Sequence, residues 1–254
     1  MERTIAIVQA RLTSTRLPGK VLFPLSGAPL IDRVLERLAR CRLLNGLCVA
    51  IPDGNAQIPL RTHLKDLEHI QVETGPEEDV LTRTLMAAEV SKASIVVRVT
   101  SDCPFIDPAV VDTVIAARQA GGFDYARTAM SSGFPLGFDC EVLTIDALRT
   151  ANREALDPYE REHVTPFIWR RSDRFFSLIL DHNPDRRHWR LVVDAQEDYE
   201  LACAAYELLF YQYKKPDFRY ADLIEMFRDH PGILEMNRSV QQTPYIFEVQ
   251  KDQL

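Results

Sequence analysis

No uncharged stretch of the 254-residue sequence approaches the roughly 18 apolar residues that span a bilayer; the longest, such as Val21–Ile31, are short and hold proline and glycine. Arg11 and Arg16 interrupt the N-terminal apolar stretch where the core of a secretion signal would lie, so none is expected. Positive charge is in deficit. The 30 Lys+Arg against 37 Asp+Glu leave a net charge of −7 and a pI near 5.4, which argues against broad adhesion to nucleic acid or an anionic membrane. The five cysteines (Cys41, Cys48, Cys103, Cys140 and Cys203) are odd in number, widely spaced and without a CxxC pair. That disfavours a disulfide scaffold or structural zinc site and favours small buried thiols in a reduced, cytoplasmic protein. Internal repeats, low-complexity tracts and composition breaks are also missing. With 46% hydrophobic and 26% charged residues, the chain reads as one globular domain over 1–254, with 196–254 as a C-terminal helical extension.

What is present is an alternation of short apolar runs with helical patterns. Thr4–Gln9 is apolar on both faces and predicts a buried parallel strand, as do Leu47–Ile51, Ile70–Glu73 and the β-branched run Ser94–Thr100. Helical spacing marks Pro29–Arg42, Gln57–Leu67, Glu77–Val90 and Pro108–Gln119 between them. Such alternation calls for a parallel sheet with helices on both faces, an α/β fold. Beyond Gly121-Gly122 the pattern turns mixed. Strands are expected at Phe123–Ala126, Cys140–Thr144, Phe175–Asp181 and Arg190–Asp194, and helices at Asp157–Arg171, Gln196–Tyr213 and Tyr220–Arg228. Tyr206–Tyr213 has the spacing of a core or dimer face, and Glu197-Asp198 that of a helix start.

The loop after the first strand, Gln9 to Lys20, carries Arg11, Arg16 and Lys20, hydroxyls at Thr13, Ser14 and Thr15, and a Pro-Gly turn. In an open α/β sheet, ligands bind beyond the carboxyl ends of the strands, and three cations with backbone N–H groups suit a polyphosphate. A basic cluster in an acidic chain also stands out from general surface charge. It is not a Walker A loop, because Val21 follows Gly19-Lys20 and Ser14 takes the first glycine's place. Asp102 follows the end of the SIVVRVT run, and Asp194 ends the run Arg190–Val193 in the same way. Each alone is an ordinary turn or cap residue. As a pair facing a basic loop they suggest a Mg²⁺ site, completed by water and substrate phosphates, with the separate turn and cap roles as the alternative. Convergence would bring two like charges together, so removing one is expected to leave the protein folded and slightly more stable. Arg16 and Lys20, as loop residues, are expected to matter little for folding. His163, beside Glu162, reads equally as a base for an acceptor hydroxyl or as a packing residue before Pro166.

The segments QARLTSTRLPGKVL, SDCPFIDP, GFDCEV, EREHVTPFI and VVDAQEDYELA, in this order from Ile5 to about Asn237, resemble the SpsF-type cytidylyltransferase-like proteins of bacterial spore-coat and surface polysaccharide biosynthesis, relatives of the CMP-sialic acid and CMP-Kdo synthetases. The resemblance implies a three-layer α/β/α nucleotide-diphospho-sugar transferase-like fold, Rossmann-like, with a mostly parallel mixed sheet. It implies nucleotidyl transfer, with CTP or another nucleoside triphosphate and a small sugar or sugar acid as partners, Mg²⁺ as cofactor, and a homodimer as an open expectation. By motif, Gln9, Ala10, Arg11, Ser14, Arg16 and Lys20 would hold the nucleotide, with Asp79 and Arg83 nearby. Arg11, Arg16, Lys20 and Asp102 would be catalytic, Asp102 and Asp194 would hold the metal, and Asp139, Glu141, Glu162 and His163 would face the sugar. Ser101 replaces the family's usual glycine before the aspartate, and Cys140 stands where an aliphatic residue is common; neither change removes charge.

Two rival readings keep parts of this. A metal-dependent glycosyltransferase of related fold commonly carries Asp-x-Asp, but Asp102-Cys103-Pro104 lacks the second carboxylate. A non-catalytic nucleotide-binding component of a glycan assembly complex would retain the cations and both aspartates for binding alone.

Overall fold

The computed structural model describes residues 2–241. Strands β1 (Thr4–Gln9), β4 (Gly46–Pro52), β5 (Ile70–Gly75) and β6 (Ile95–Thr100) form the parallel part of a seven-stranded sheet, which β7 (Tyr125–Arg127), β8 (Glu141–Thr144) and β9 (Ser177–Ile179) complete. A small hairpin, β2 (Pro24–Leu25) with β3 (Ala28–Pro29), stands apart. The strand order is β5-β4-β1-β6-β8-β7-β9; only β8 runs antiparallel to both its neighbours. The parallel sheet expected from the alternation is present in β5-β4-β1-β6, and the antiparallel β8 makes the whole the mostly parallel mixed sheet that the resemblance implies.

The chain steps from β1 outward to β4 and β5, then returns to lay β6 on the other side of β1. Helix α1 (Leu30–Leu38) precedes β4, α2 (Ile58–Lys65) precedes β5, and α3 (Val80–Val90) makes the return to β6. This reversal opens a crevice beyond the carboxyl ends of β1 and β6, where α/β proteins bind ligands. Gln9 ends β1 and Thr100 ends β6, opposite each other in register.

Strand β1 is buried on both faces because its side chains alternate between two cores. Ala6 and Val8 join one with Val34 of α1 and Val114 of α4 (Pro108–Gly121). Ile5 and Ile7 join the other with Leu81 of α3 and Leu148 of α5 (Ile145–Glu154). Three layers result. Helices α8 (Gln196–Glu207) and α9 (Tyr220–Asp229) contribute Leu201, Tyr206, Leu223 and Phe227 to the first core. The segment 196–254 is thus helical and core-packed as far as described; residues 242–254 lie outside the described residues.

Several expectations need correction. The run 190–194 is extended but joins no ladder, making a single bridge between Leu136 and Arg190. Its backbone bonds go to loops instead: Leu191 N–H to the Leu136 carbonyl (2.8 Å) and Val193 N–H to the Asp102 carbonyl (2.9 Å). The single helix expected over 157–171 is two, α6 (Pro158–His163) and α7 (Pro166–Trp169), divided where Val164 turns to φ 72° and Pro166, lacking an N–H, starts afresh. The strand expected at 175–181 keeps three residues, and the long helix from Gln196 ends in a π-helical turn, Leu208–Gln212. Helix α5 was not foreseen, although Thr144 caps it through the Ala147 N–H (3.1 Å) and Ile145, Leu148 and Ala151 mark its buried face.

Candidate active site

Gly19 adopts φ 75°, a left-handed conformation that glycine takes without steric cost, and so turns Lys20 back under the loop. The Lys20 side chain is only 7% exposed. Its ammonium donates to Asp102 Oδ2 (2.8 Å), Asp194 Oδ1 (2.6 Å) and the Val193 carbonyl (2.7 Å), which uses all three of its protons. Asp102 and Asp194 therefore converge, as the metal reading requires, but a buried cation already sits on both. Burial works against ionisation of Asp102, and the Lys20 charge outweighs it, holding the carboxyl down to about 2. Burial likewise pulls the Lys20 pKa down while both aspartates push it up, and the net shift is upward. The expectation that removing one aspartate relieves repulsion and stabilises the fold is thus corrected, because the ammonium already offsets that repulsion. Lys20 is also no bystander to folding.

Arg16 donates to Asp194 Oδ2 (2.7 Å), and Arg190 lies 3.7 Å from the same oxygen. Arg190 also grips Asp198 with two bonds of 2.8 Å, while Asp198 accepts from the backbone N–H groups of Asp194 and Ala195 (3.0 Å each). Asp198, expected only as a helix-start residue, is fully buried and fixes the backbone that carries Asp194. Among the described residues the backbone N–H groups of Ser14, Thr15 and Arg16 make no hydrogen bond, and Arg11 and Arg16 are exposed on this loop. Gln57 ties the loop's base through the Leu12 N–H (2.9 Å), and Glu77 accepts from Thr13 (2.6 Å). Among the described residues no group of three or more His, Cys, Asp or Glu could form a metal cluster.

The remaining expected residues divide. Asp79 is the cap of α3, accepting from the Thr82 N–H (3.0 Å) and hydroxyl (2.8 Å) and pairing with Arg161 (2.7 Å). Arg83 is buried and donates to the Pro76 and Glu77 carbonyls. Both shape the loop before α3; neither is aimed by these contacts at the Lys20 cluster. Gln9 links Arg98 (2.9 Å) to Thr84 (2.8 Å), and Ala10 is buried with its N–H on the Ala50 carbonyl (3.2 Å).

On the sugar side, Glu141 is the hub of a buried cluster, accepting from Arg98, the Tyr125 hydroxyl and the Thr165 hydroxyl (2.5 Å). Arg98 was the available signal for this cluster, as the one charge in an apolar strand; Tyr125 and Thr165 carried none. Glu162 is exposed. His163 packs its ring on Tyr159 (4.3 Å between centroids), and burial lowers its pKa, which keeps it neutral at pH 7.

Asp139 accepts from the Gly137 N–H (3.1 Å), and burial raises its pKa from 3.8 to about 6. A carboxyl raised by folding contributes stability that is fully present below pH 3.8 and is lost as pH rises through about 6. Thermal melts from pH 4 to 7 are expected to show a downward slope in the wild type that flattens in Asp139→Asn. Parallel curves would remove this assignment. Gly137 itself has φ 99°, and a Cβ there would lie 2.6 Å from the Leu191 carbonyl carbon and 2.9 Å from the Val192 nitrogen. Gly137→Ala is expected to cost about 2–4 kcal/mol, combining left-handed strain with a backbone clash. A denaturant midpoint within error of wild type would contradict that packing.

A strand-order reversal rimmed by a basic loop and two converging carboxylates is a place where an α/β protein can bind a polyphosphate. A family model described as Cytidylyltransferase matches residues 5–216. The spore coat polysaccharide biosynthesis protein SpsF of Bacillus subtilis (strain 168) is 33% identical over 239 residues, 91% of this chain and 96% of that protein. The structure of a cytidylyltransferase from Leptospira borgpetersenii superposes with a TM-score of 0.85 at 28% identity, covering 96% of this chain and all of that one. A structure of CMP:2-keto-3-deoxy-manno-octonic acid synthetase complexed with CTP shares the fold at a TM-score of 0.60 and 15% identity, over 80% of this chain and 98% of that one. The chain belongs to the cytidylyltransferase family.

Proposed function

We propose that the chain transfers CMP from CTP to a sugar or sugar acid in surface-polysaccharide biosynthesis, with Mg²⁺. The observation that carries this is the convergence of Asp102, Asp194 and Lys20 beneath the basic loop at the switch point. Relatives named for CMP-sugar-acid synthesis and for spore-coat polysaccharide support the substrate class. Hard carboxylate oxygens on two side chains suit Mg²⁺, which commonly takes one or two carboxylates and fills its shell with water and phosphate. Asp102 and Asp194 would hold it, and when bound it would neutralise charge on the phosphate oxygens.

The chain's own residues do the rest. Arg11, Arg16 and Lys20, with the Ser14–Arg16 N–H groups, would hold the triphosphate and offset charge on the departing pyrophosphate. The thiol beside Asp102, Cys103, is buried and kept protonated by that burial, which disarms it as a nucleophile, and the sugar hydroxyl would attack the α-phosphorus in line. Neutral His163 could take its proton. No helix among the described residues is long and apolar enough to cross a membrane, and all five cysteines are free thiols. A cytoplasmic homodimer remains part of the proposal.

Pyrophosphate release with each nucleoside triphosphate, Mg²⁺ and a panel of sugars and keto-sugar acids tests this reading. CTP with one acceptor class should stand out. No release with any combination, or transfer from a ready-made nucleotide sugar, would overturn it.

A further inference from the structure

Lys20 sits on the two carboxylate oxygens that would receive a divalent cation, 2.8 Å from Asp102 and 2.6 Å from Asp194. The ion-paired groups of the cluster balance one another, with the Asp139 carboxyl beside them as one further acid. Asp102, Asp194 and Asp198 face Lys20, Arg16 and Arg190 among the described residues. A divalent cation entering alone would meet an ammonium on both ligands and add two positive charges to groups whose ion pairs are already matched. A polyphosphate changes both terms, because it brings compensating negative charge and offers Lys20 other acceptors in the adjoining loop.

Resting on the Mg²⁺ reading, we infer that Lys20 is a counter-ion lock: it suppresses divalent-cation binding to Asp102 and Asp194 until a nucleoside triphosphate draws its ammonium away. Cation and nucleotide then bind with positive coupling, and each raises the affinity for the other by the same factor. The third Lys20 bond, to the Val193 carbonyl, sets the lock's resting position, since that oxygen belongs to the residue before Asp194.

The test is Mn²⁺ binding without nucleotide, followed by electron paramagnetic resonance of the free ion. Wild type, Lys20→Met, Lys20→Gln and the double variant Lys20→Met/Asp102→Asn are compared. Both single variants should bind Mn²⁺ at least about tenfold more tightly than wild type, within the span usual for coupling between sites. The double variant should lose that gain. Mn²⁺ should also raise the melting temperature of Lys20→Met more than that of wild type, since it replaces the missing cation. Lys20→Gln keeps a donor for the Val193 carbonyl and serves if Lys20→Met does not fold. Equal affinity in wild type and the single variants, or no binding in any of them, overturns the lock. Turnover by wild type is read separately: a Mg²⁺ requirement alongside equal affinities sinks the lock alone, whereas turnover indifferent to Mg²⁺ sinks the metal reading.

Discussion

Asp102→Asn and Asp194→Asn should each reduce CTP turnover by about 10³-fold or more, equivalent to about 4 kcal/mol of transition-state stabilisation. Asparagine keeps the size and one oxygen but removes the charge that would hold the cation. It also takes one carboxylate from the Lys20 ammonium, which keeps the other. A moderate loss of stability, roughly 1–3 kcal/mol, should accompany the loss of activity, because a buried charge-assisted bond is weakened. The double variant should turn over no more slowly than the singles, since one site is lost either way. Steady-state rates and melting temperatures of the three variants check this. Single variants that are less stable yet fully active would return both aspartates to ordinary turn and cap roles.

Lys20→Ala and Arg16→Ala should part company in the same measurements. Both should weaken nucleotide binding, each by roughly 1.5–3 kcal/mol for a lost charge-assisted contact. Their structural costs differ because their burial differs: the Arg16 side chain is 44% exposed and Lys20 is 7% exposed. Removing the ammonium leaves two carboxylates facing one another, and breaking a buried ion pair from one side costs about 3–5 kcal/mol. Lys20→Ala should therefore melt well below wild type and show marked pH dependence as one carboxylate takes up a proton. Arg16→Ala should melt near wild type, since a half-exposed ion pair contributes at most about 1 kcal/mol. Equal melting temperatures for the two variants would contradict the buried clamp.

Much of this site was legible in the sequence because strand ends are. An apolar run such as Thr4–Gln9 or Ser94–Thr100 ends where the sheet ends, so residues just past it lie on the ligand edge. Gln9, the basic loop and Asp102 could be placed that way. Asp194 does lie beside Asp102, but not for the reason that the sequence suggests. Its run is no sheet strand, and Lys20 with Asp198 fixes it rather than a ladder.

What could not be read depends on direction and burial. Nothing in the spacing reveals that Gly19 folds Lys20 inward while Arg11 stays outside. Asp79 was placed near the nucleotide by motif, yet its partner Arg161 is far along the chain and spacing could not foretell it. Glu141, expected to face a sugar, spends its oxygens on Arg98, Tyr125 and Thr165, which three separate segments supply. A break such as Val164, where a β-branched residue takes φ 72°, is a tertiary outcome that local propensity opposes.

The central claim is that Asp102, Asp194 and Lys20 mark the place where a nucleoside triphosphate and its divalent cation bind. Crystals of the chain with CTP and Mn²⁺, measured at the manganese absorption edge, test it most directly. The expected result is one anomalous peak ligated by both aspartates, with the triphosphate along Ser14–Lys20 and the Lys20 ammonium moved onto its oxygens. A nucleotide seated elsewhere, or manganese away from both aspartates, would contradict the account.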